Sequence, residues 1–202
     1  MKLRTAILTL ALTASAAAQA AIVNIDADAA AANSVLNNAF TGLGVTLSAF
    51  GTSTDGNVYA RVNALASTGT QLFGNSSAFD PLWFPGGRSL RADFAGGTDF
   101  AAIDVIANDN SDRGEVFFYD VANTLLFSVD TGVMGVAGSF VSLSYLSGSS
   151  NIAYLVATGF GGDNVALDNL RFNSNNVPEP ASLALVSLAL LGAVAGSRRR
   201  AA

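Results

Sequence analysis

From Gly44 to the neighbourhood of Phe172 the chain is a succession of short β-prone runs separated by Gly, Asn, Asp and Ser. No other feature limits its fold as strongly. Val45, Thr46, Leu47 and Ser48 alternate apolar with polar. Residues 100–106 form a mostly apolar run. Residues 115–120 and 124–129 are two further runs, separated only by residues 121–123. Residues 140–146 put Val141, Leu143 and Tyr145 on one face with Ser142 and Ser144 on the other. Ile152, Tyr154 and Val156 repeat the alternation, and residues 165–172 make a last strand. Short alternating runs with turn signals between them specify antiparallel sheets packed as a sandwich or barrel. No strong 3.6-residue amphipathic period runs between residues 40 and 172, and no internal repeat is present. The expected fold is all-β: an antiparallel β-sandwich of jelly-roll type over residues 21–175. An Ala- and Asn-rich stretch over residues 21–38 leads into it as an entry strand and a short helix or loop.

Both ends of the chain read as targeting segments. Residues 1–20 start with Lys2 and Arg4, continue with an apolar run over 6–12 and end on Ala18-Gln19-Ala20. A basic n-region, an h-region and an A-x-A site in that order describe a signal peptide, with cleavage after Ala20. A buried N-terminal helix is the alternative. At the other end a short polar stretch, 173–177, precedes Val177, Pro178, Glu179 and Pro180, an uncharged apolar run over 181–196, and Arg198, Arg199 and Arg200. Sixteen helical residues reach about 24 Å at 1.5 Å each, slightly short of a hydrocarbon core of about 30 Å. The segment is therefore a marginal transmembrane helix. The arginines stop it on the cytoplasmic side of the inner membrane and leave the domain outside. The signal peptide asks for the same orientation.

Composition narrows the chemistry. With no cysteine, an exported chain of this kind relies on its core rather than on disulfides. With no histidine, a Ser-His-Asp triad and a conventional zinc site are excluded within the chain. Half of the ten basic residues lie in the targeting ends, at Lys2, Arg4 and Arg198 to Arg200. Residues 21–177 keep five arginines against fourteen acids, a net charge of −9. A surface so acidic repels nucleic-acid phosphates and suits divalent cations or neutral polymers.

The C-terminal module, with Pro178-Glu179-Pro180, an apolar helix and an arginine cluster in that order, resembles the PEP-CTERM sorting signal of Gram-negative bacteria. The resemblance covers residues 176–202. It implies processing near the motif by exosortase, a membrane-embedded transpeptidase-like enzyme, after signal peptidase has acted at the other end. It also implies a host that makes exopolysaccharide and biofilm matrix. A plain anchor helix is the alternative. The middle region resembles the galactose- or carbohydrate-binding jelly rolls that such proteins often carry. The segments that carry this likeness are residues 44–48, Ile103-Asp104-Val105 and residues 167–172.

Asp168 draws attention because parity along the last strand groups it with the core-facing Leu170 and Phe172, and a buried carboxylate needs a partner. In similar jelly rolls an acid on the final strand often helps to hold a structural Ca²⁺ together with the N-terminal segment, which here offers Asp26 or Asp28. The alternative places Val165 and Leu167 on the core face, with Asp168 facing out after a bulge. Asn108, Asp109, Asn110, Ser111 and Asp112 ahead of Gly114 look like a calcium loop. Arg113 occupies the fifth position, where an oxygen ligand belongs, so an ordinary turn is expected. Trp83 and Phe84 sit in a Pro/Gly-rich stretch over 80–88 and form either an aromatic platform for sugar rings or a cap on the core. No nucleophile elbow or phosphate loop is present, and Glu115 is the sole glutamate before the tail.

The expected function is that of an exported, non-catalytic cell-surface or matrix protein, sorted by exosortase and binding exopolysaccharide, with no nucleic-acid partner and no cofactor beyond a structural Ca²⁺. The alternatives are an extracellular polysaccharide hydrolase using Asp carboxylates and a structural surface component without a ligand.

Overall fold

The computed structural model of the protein describes residues 21–76 and 83–174. The expected signal peptide over 1–20, residues 77–82, and the segment from 175 onward with Val177 to Pro180 and Arg198 to Arg200 lie outside the described residues. Among the described residues twelve strands run in order: β1 (Ala21–Ile25), β2 (Val45–Gly51), β3 (Tyr59–Val62), β4 (Gln71–Gly74), β5 (Phe84–Pro85), β6 (Arg88–Thr98), β7 (Phe100–Ala107), β8 (Gly114–Tyr119), β9 (Leu125–Asp130), β10 (Phe140–Leu146), β11 (Ile152–Gly159) and β12 (Asn164–Ser174).

They form two sheets. A seven-stranded sheet has the order β10-β7-β12-β4-β3, with β1 and β5 also pairing β12. A five-stranded sheet has the order β2-β6-β11-β8-β9. Set aside β1, β2, β3 and β5, and β4-β12-β7-β10 faces β6-β11-β8-β9. In chain order the eight strands hand the path from sheet to sheet as a jelly roll does, with only β8 and β9 staying in one sheet as a hairpin. The strands read from sequence over 100–106, 115–120, 124–129 and 140–146 match β7 to β10. Strands β3 and β4 are four residues each, too short to show a period.

The core follows from alternation. Leu90, Ala92 and Phe94 of β6, Val116 and Phe118 of β8, and Leu155 and Ala157 of β11 point inward from one sheet. Ala101, Ile103 and Val105 of β7, Leu143 of β10, and Val165 and Leu167 of β12 meet them from the other. Burying the Val, Leu, Ile and Phe side chains among them stabilises by roughly 1.5–3 kcal/mol each.

Two irregularities change parity. The register between β11 and β6 shifts between Ile152 and Tyr154, so Ile152 is core while Tyr154 and Val156 face outward. In β12 the register shifts between Asp168 and Arg171, and Asn169 takes φ 48°. Val165 and Leu167 are thus core-facing before the bulge, and Leu170 and Phe172 after it. The grouping of Asp168 with Leu170 and Phe172 is corrected by this bulge: Asp168 lies on the far side of its sheet from the core.

The two outer faces differ. On the seven-stranded sheet Leu72, Ile106 and Ala166 form a second buried cluster beneath Leu65, Ala66 and Trp83, so this face is covered by the chain that joins β3 to β4 and by Trp83. On the five-stranded sheet the outward residues include Thr46 and Ser48 of β2, Arg91 and Asp93 of β6, Tyr154 and Val156 of β11, and Glu115, Phe117 and Tyr119 of β8. No comparable apolar cover lies over them among the described residues.

Candidate functional site

On this open face an aromatic and charged ladder crosses three neighbouring strands. Pairing sets Asp93, Tyr154 and Tyr119 side by side across β6, β11 and β8. The Tyr119 and Tyr154 rings stack with centroids 4.8 Å apart and planes 14° from parallel. The Arg91 guanidinium lies over Tyr154, 3.7 Å from its centroid. Arg91 Nε donates to both oxygens of Asp93 at 2.9 Å, and its NH2 donates to Oδ1 at 2.5 Å. The hydrogen bonds to Asp93 raise the Arg91 pKa above its ordinary value, so the guanidinium is charged and locked in place. Tyr154 Oη donates to Asn123 Oδ1 at 3.1 Å. Both faces of the Tyr154 ring are therefore occupied, and half-buried Tyr119 ends the ladder. A shallow cavity of about 270 Å³, lined by Thr46, Asp93, Phe94 and Ala95 among others, adjoins the β2 side. A smaller one of about 70 Å³ adjoins Glu115, Ser128 and Asp130 on the other side.

Glu115 and Asp130 face each other across β8 and β9. Burial, then the charge of Asp130, pushes the Glu115 carboxyl up. The Gly132 backbone N–H, then a hydrogen bond from Arg113, holds Asp130 down. Two carboxyls moved apart in this way are the arrangement acid–base catalysis uses.

A second polar cluster lies under the covered face. Asp168 is 0% exposed, and burial pushes its carboxyl up to about 6 against hydrogen bonds that favour the charged form. Its Oδ2 accepts from Ser67 Oγ at 3.0 Å and from Thr68 N at 3.1 Å, and its Oδ1 from Asn169 N at 2.8 Å. Thr68 Oγ1 donates to Asp26 Oδ2 at 2.7 Å, so Asp26 and Asp168 meet across Thr68. Asp28 is spent elsewhere: it accepts from the backbone N–H groups of Thr70 and Gln71. Asp104 shares Ser67 with Asp168 and pairs with Arg171 at 2.7 Å.

Calcium takes six to eight oxygens. Asp26 and Asp168 would supply two, but Asp28 does not join them, and no group of three or more metal-ligating side chains able to hold an ion exists among the described residues.

The raised Asp168 value sets a pH dependence. The folded state holds this proton more tightly than the unfolded chain, so the stability it gives is complete below pH 3.8 and is lost as pH rises through about 6. The difference corresponds to about 3 kcal/mol at pH 7.5. Melting temperature is expected to fall between about pH 4 and pH 6 and to level off above that, and Asp168→Asn is expected to flatten that slope. The slope carries the test, because Asn also loses an acceptor. An unchanged slope would show that another group titrates. A melt raised by added Ca²⁺ only when Asp168 is present would restore the calcium reading.

Two other expectations resolve here. The loop over 108–115 is a turn: Asp112 Oδ2 accepts from the N–H groups of Asn108 and Asp109, and its Oδ1 from Asn164. Phe84 is fully buried in the core and offers no exposed ring, and Trp83 is half-buried against Leu72, Ile106 and Ala166. The ladder residues Arg91, Tyr119 and Tyr154 were missed in the sequence. The alternation of Leu90, Ala92 and Phe94 with Arg91 and Asp93 was the available signal.

A jelly-roll sandwich with one covered and one open sheet face is the class of domain these observations define. The chain around it carries an export signal: residues 176–200 match the family described as PEP-CTERM protein-sorting motif, which marks a secreted protein of the cell envelope or surface. No curated protein matches the sequence. Among solved structures the domain is similar to the K2 cleaved adhesin domain of Lys-gingipain (11% identity, 76% of this chain and 99% of that chain, TM-score 0.48). It is also similar to the family 35 carbohydrate binding module from Clostridium thermocellum (15% identity, 77% and 99%, TM-score 0.43). A third is CsCBM6-3 from Clostridium stercorarium, solved with cellobiose (17% identity, 76% and 94%, TM-score 0.39).

Proposed function

We propose that the protein is a non-catalytic surface or matrix protein that holds a neutral polysaccharide on the open face of its five-stranded sheet. The observation that carries this is the Arg91–Tyr154–Tyr119 ladder on the uncovered face. Aromatic rings stack on the apolar C–H faces of sugars, and Asp93, Glu115 and Asn123 offer acceptors for hydroxyl groups beside them. Arg91 is already neutralised by Asp93, and Glu115 and Asp130 add negative charge, so an anionic polymer is repelled. Co-sedimentation with the host's exopolysaccharide is expected to retain the protein. Tyr119→Ala is expected to weaken binding about tenfold with little loss of stability, since one stacked ring contributes about 1.4 kcal/mol or less. Retention unchanged by Tyr119→Ala would move the site elsewhere, and no retention at all would favour a structural component without a ligand.

The Glu115–Asp130 pair favours one second reading, a polysaccharide hydrolase. The adjoining cavity of about 70 Å³ is small beside the 300–1,000 Å³ usual for ligand pockets, so no hydrolysis is expected. Release of reducing ends, lost in Glu115→Gln, would establish the enzyme.

The sorting motif carries its own expectation. Mass spectrometry of the exported protein is expected to find a start near Ala21 and loss of Arg198 to Arg200, and Glu179→Ala is expected to impair both sorting and tail removal. An intact arginine end would leave a plain membrane anchor.

A further inference from the structure

Beside β1 and β5, which pair only with β12, four strands end the two sheet orders, and the chain treats them differently. At β2, Leu47 N donates to the Asn37 carbonyl and Ala49 N to the Gly56 carbonyl, so its outer edge is capped by neighbouring chain. At β3, Ala60 N donates to the Ser34 carbonyl and Asn33 N to the Ala60 carbonyl, which caps that edge as well. Strand β9 ends on the charged Asp130. Strand β10 has neither device. It is seven residues long, contains no proline or charge, and no backbone hydrogen bond reaches its outer side among the described residues.

Its outward groups can be identified. Ser139 O accepts from Ala107 N and Ser147 N donates to Asp99 O, both toward β7. Backbone direction alternates along an antiparallel strand, so the odd-numbered residues bond to β7. Phe140, Ser142, Ser144 and Leu146 then aim their N–H and C=O groups away from the sheet. The Phe140 and Leu146 side chains are 51% and 67% exposed. Natural sheets blunt such an edge with charge, proline or a covering loop.

We propose that β10 pairs antiparallel with β10 of a second copy of this chain, joining the two seven-stranded sheets into one. The strand is self-complementary in that arrangement. A twofold axis at Leu143 sets Phe140 opposite Leu146 of the partner and Ser142 opposite Ser144, with outward-aimed groups facing outward-aimed groups in every pair. Charge selects the same place. The domain carries −9, yet no charged residue occurs between Asp130 and Asp163, so two acidic copies meet at this edge with the least repulsion. The nearby Arg171, which donates to Ser142, is neutralised by Asp104.

Sedimentation of the exported protein at about 0.1 mM, a concentration that detects even weak association, is expected to show a dimer that salt strengthens by screening the remaining acids. Ser144→Pro removes an N–H that faces outward, so it is expected to give a monomer with an unchanged melting temperature. Ser144→Lys is expected to do the same and stands in if the proline variant fails to fold. A monomeric wild-type protein, or a dimer that survives both substitutions, would overturn the proposal.

Discussion

Phe84→Ala is expected to cost about 3–5 kcal/mol of stability and to leave polysaccharide binding untouched in whatever protein remains folded. Phe84 lies on two-residue β5, paired with Val165 of β12, and its ring is wholly inside the main core. So short a strand makes few backbone bonds, and the ring anchors this stretch of chain between the sheets. Removing it leaves a cavity that rigid strands on both sides cannot fill. A loss of this size is a large part of the 5–15 kcal/mol that holds an ordinary domain together, so the variant is expected to melt well below the wild type. Trp83→Ala is expected to cost less, since its ring covers only the second cluster. A nearly unchanged melt with lost binding would instead make this loop the ligand platform. Thermal unfolding beside co-sedimentation separates the two results.

Gly86→Ala is expected to be at least as damaging, for a different reason. A Cβ at Gly86 would lie 1.4 Å from the carbonyl oxygen of Gly161, and that atom belongs to the backbone of the turn between β11 and β12. No rotamer relieves such an overlap. One of the two turns must move, and each is tied to a central strand. A cost above about 4 kcal/mol places the substitution among the exceptional ones, and poor yield of folded protein is the expected readout. Gly162→Ala is the control, because a Cβ there meets nothing within 4 Å. Equal behaviour of the two variants would show that the turns do not touch.

The fold was legible where a strand is long and regular. Residues 140–146 show Val141, Leu143 and Tyr145 on one face, and the structure turns those residues inward. Alternation inside a strand does not say how it joins the next, and one extra residue reverses its meaning. That is what happens at Tyr154, grouped with Ile152 by spacing but turned outward by the register shift, and at Asp168, which the bulge at Asn169 moves away from the core. The partners of Asp168 come from Ser67 and Thr68, a hundred residues away in sequence, so no local pattern announces them. Asp26 reaches this cluster while Asp28, two residues on, caps the chain at Thr70. The ladder escaped notice because Arg91, Tyr119 and Tyr154 come from three strands and form a unit only once β6, β11 and β8 are side by side.

Ligand binding on the open sheet face is tested most directly by amide hydrogen exchange of the exported protein with and without the host's neutral polysaccharide. Added protection is expected on β6, β11 and β8 around Arg91, Tyr154 and Tyr119, with none near Trp83 or on β10. Protection centred on the chain around Trp83, or a pattern indifferent to the polysaccharide, would contradict it.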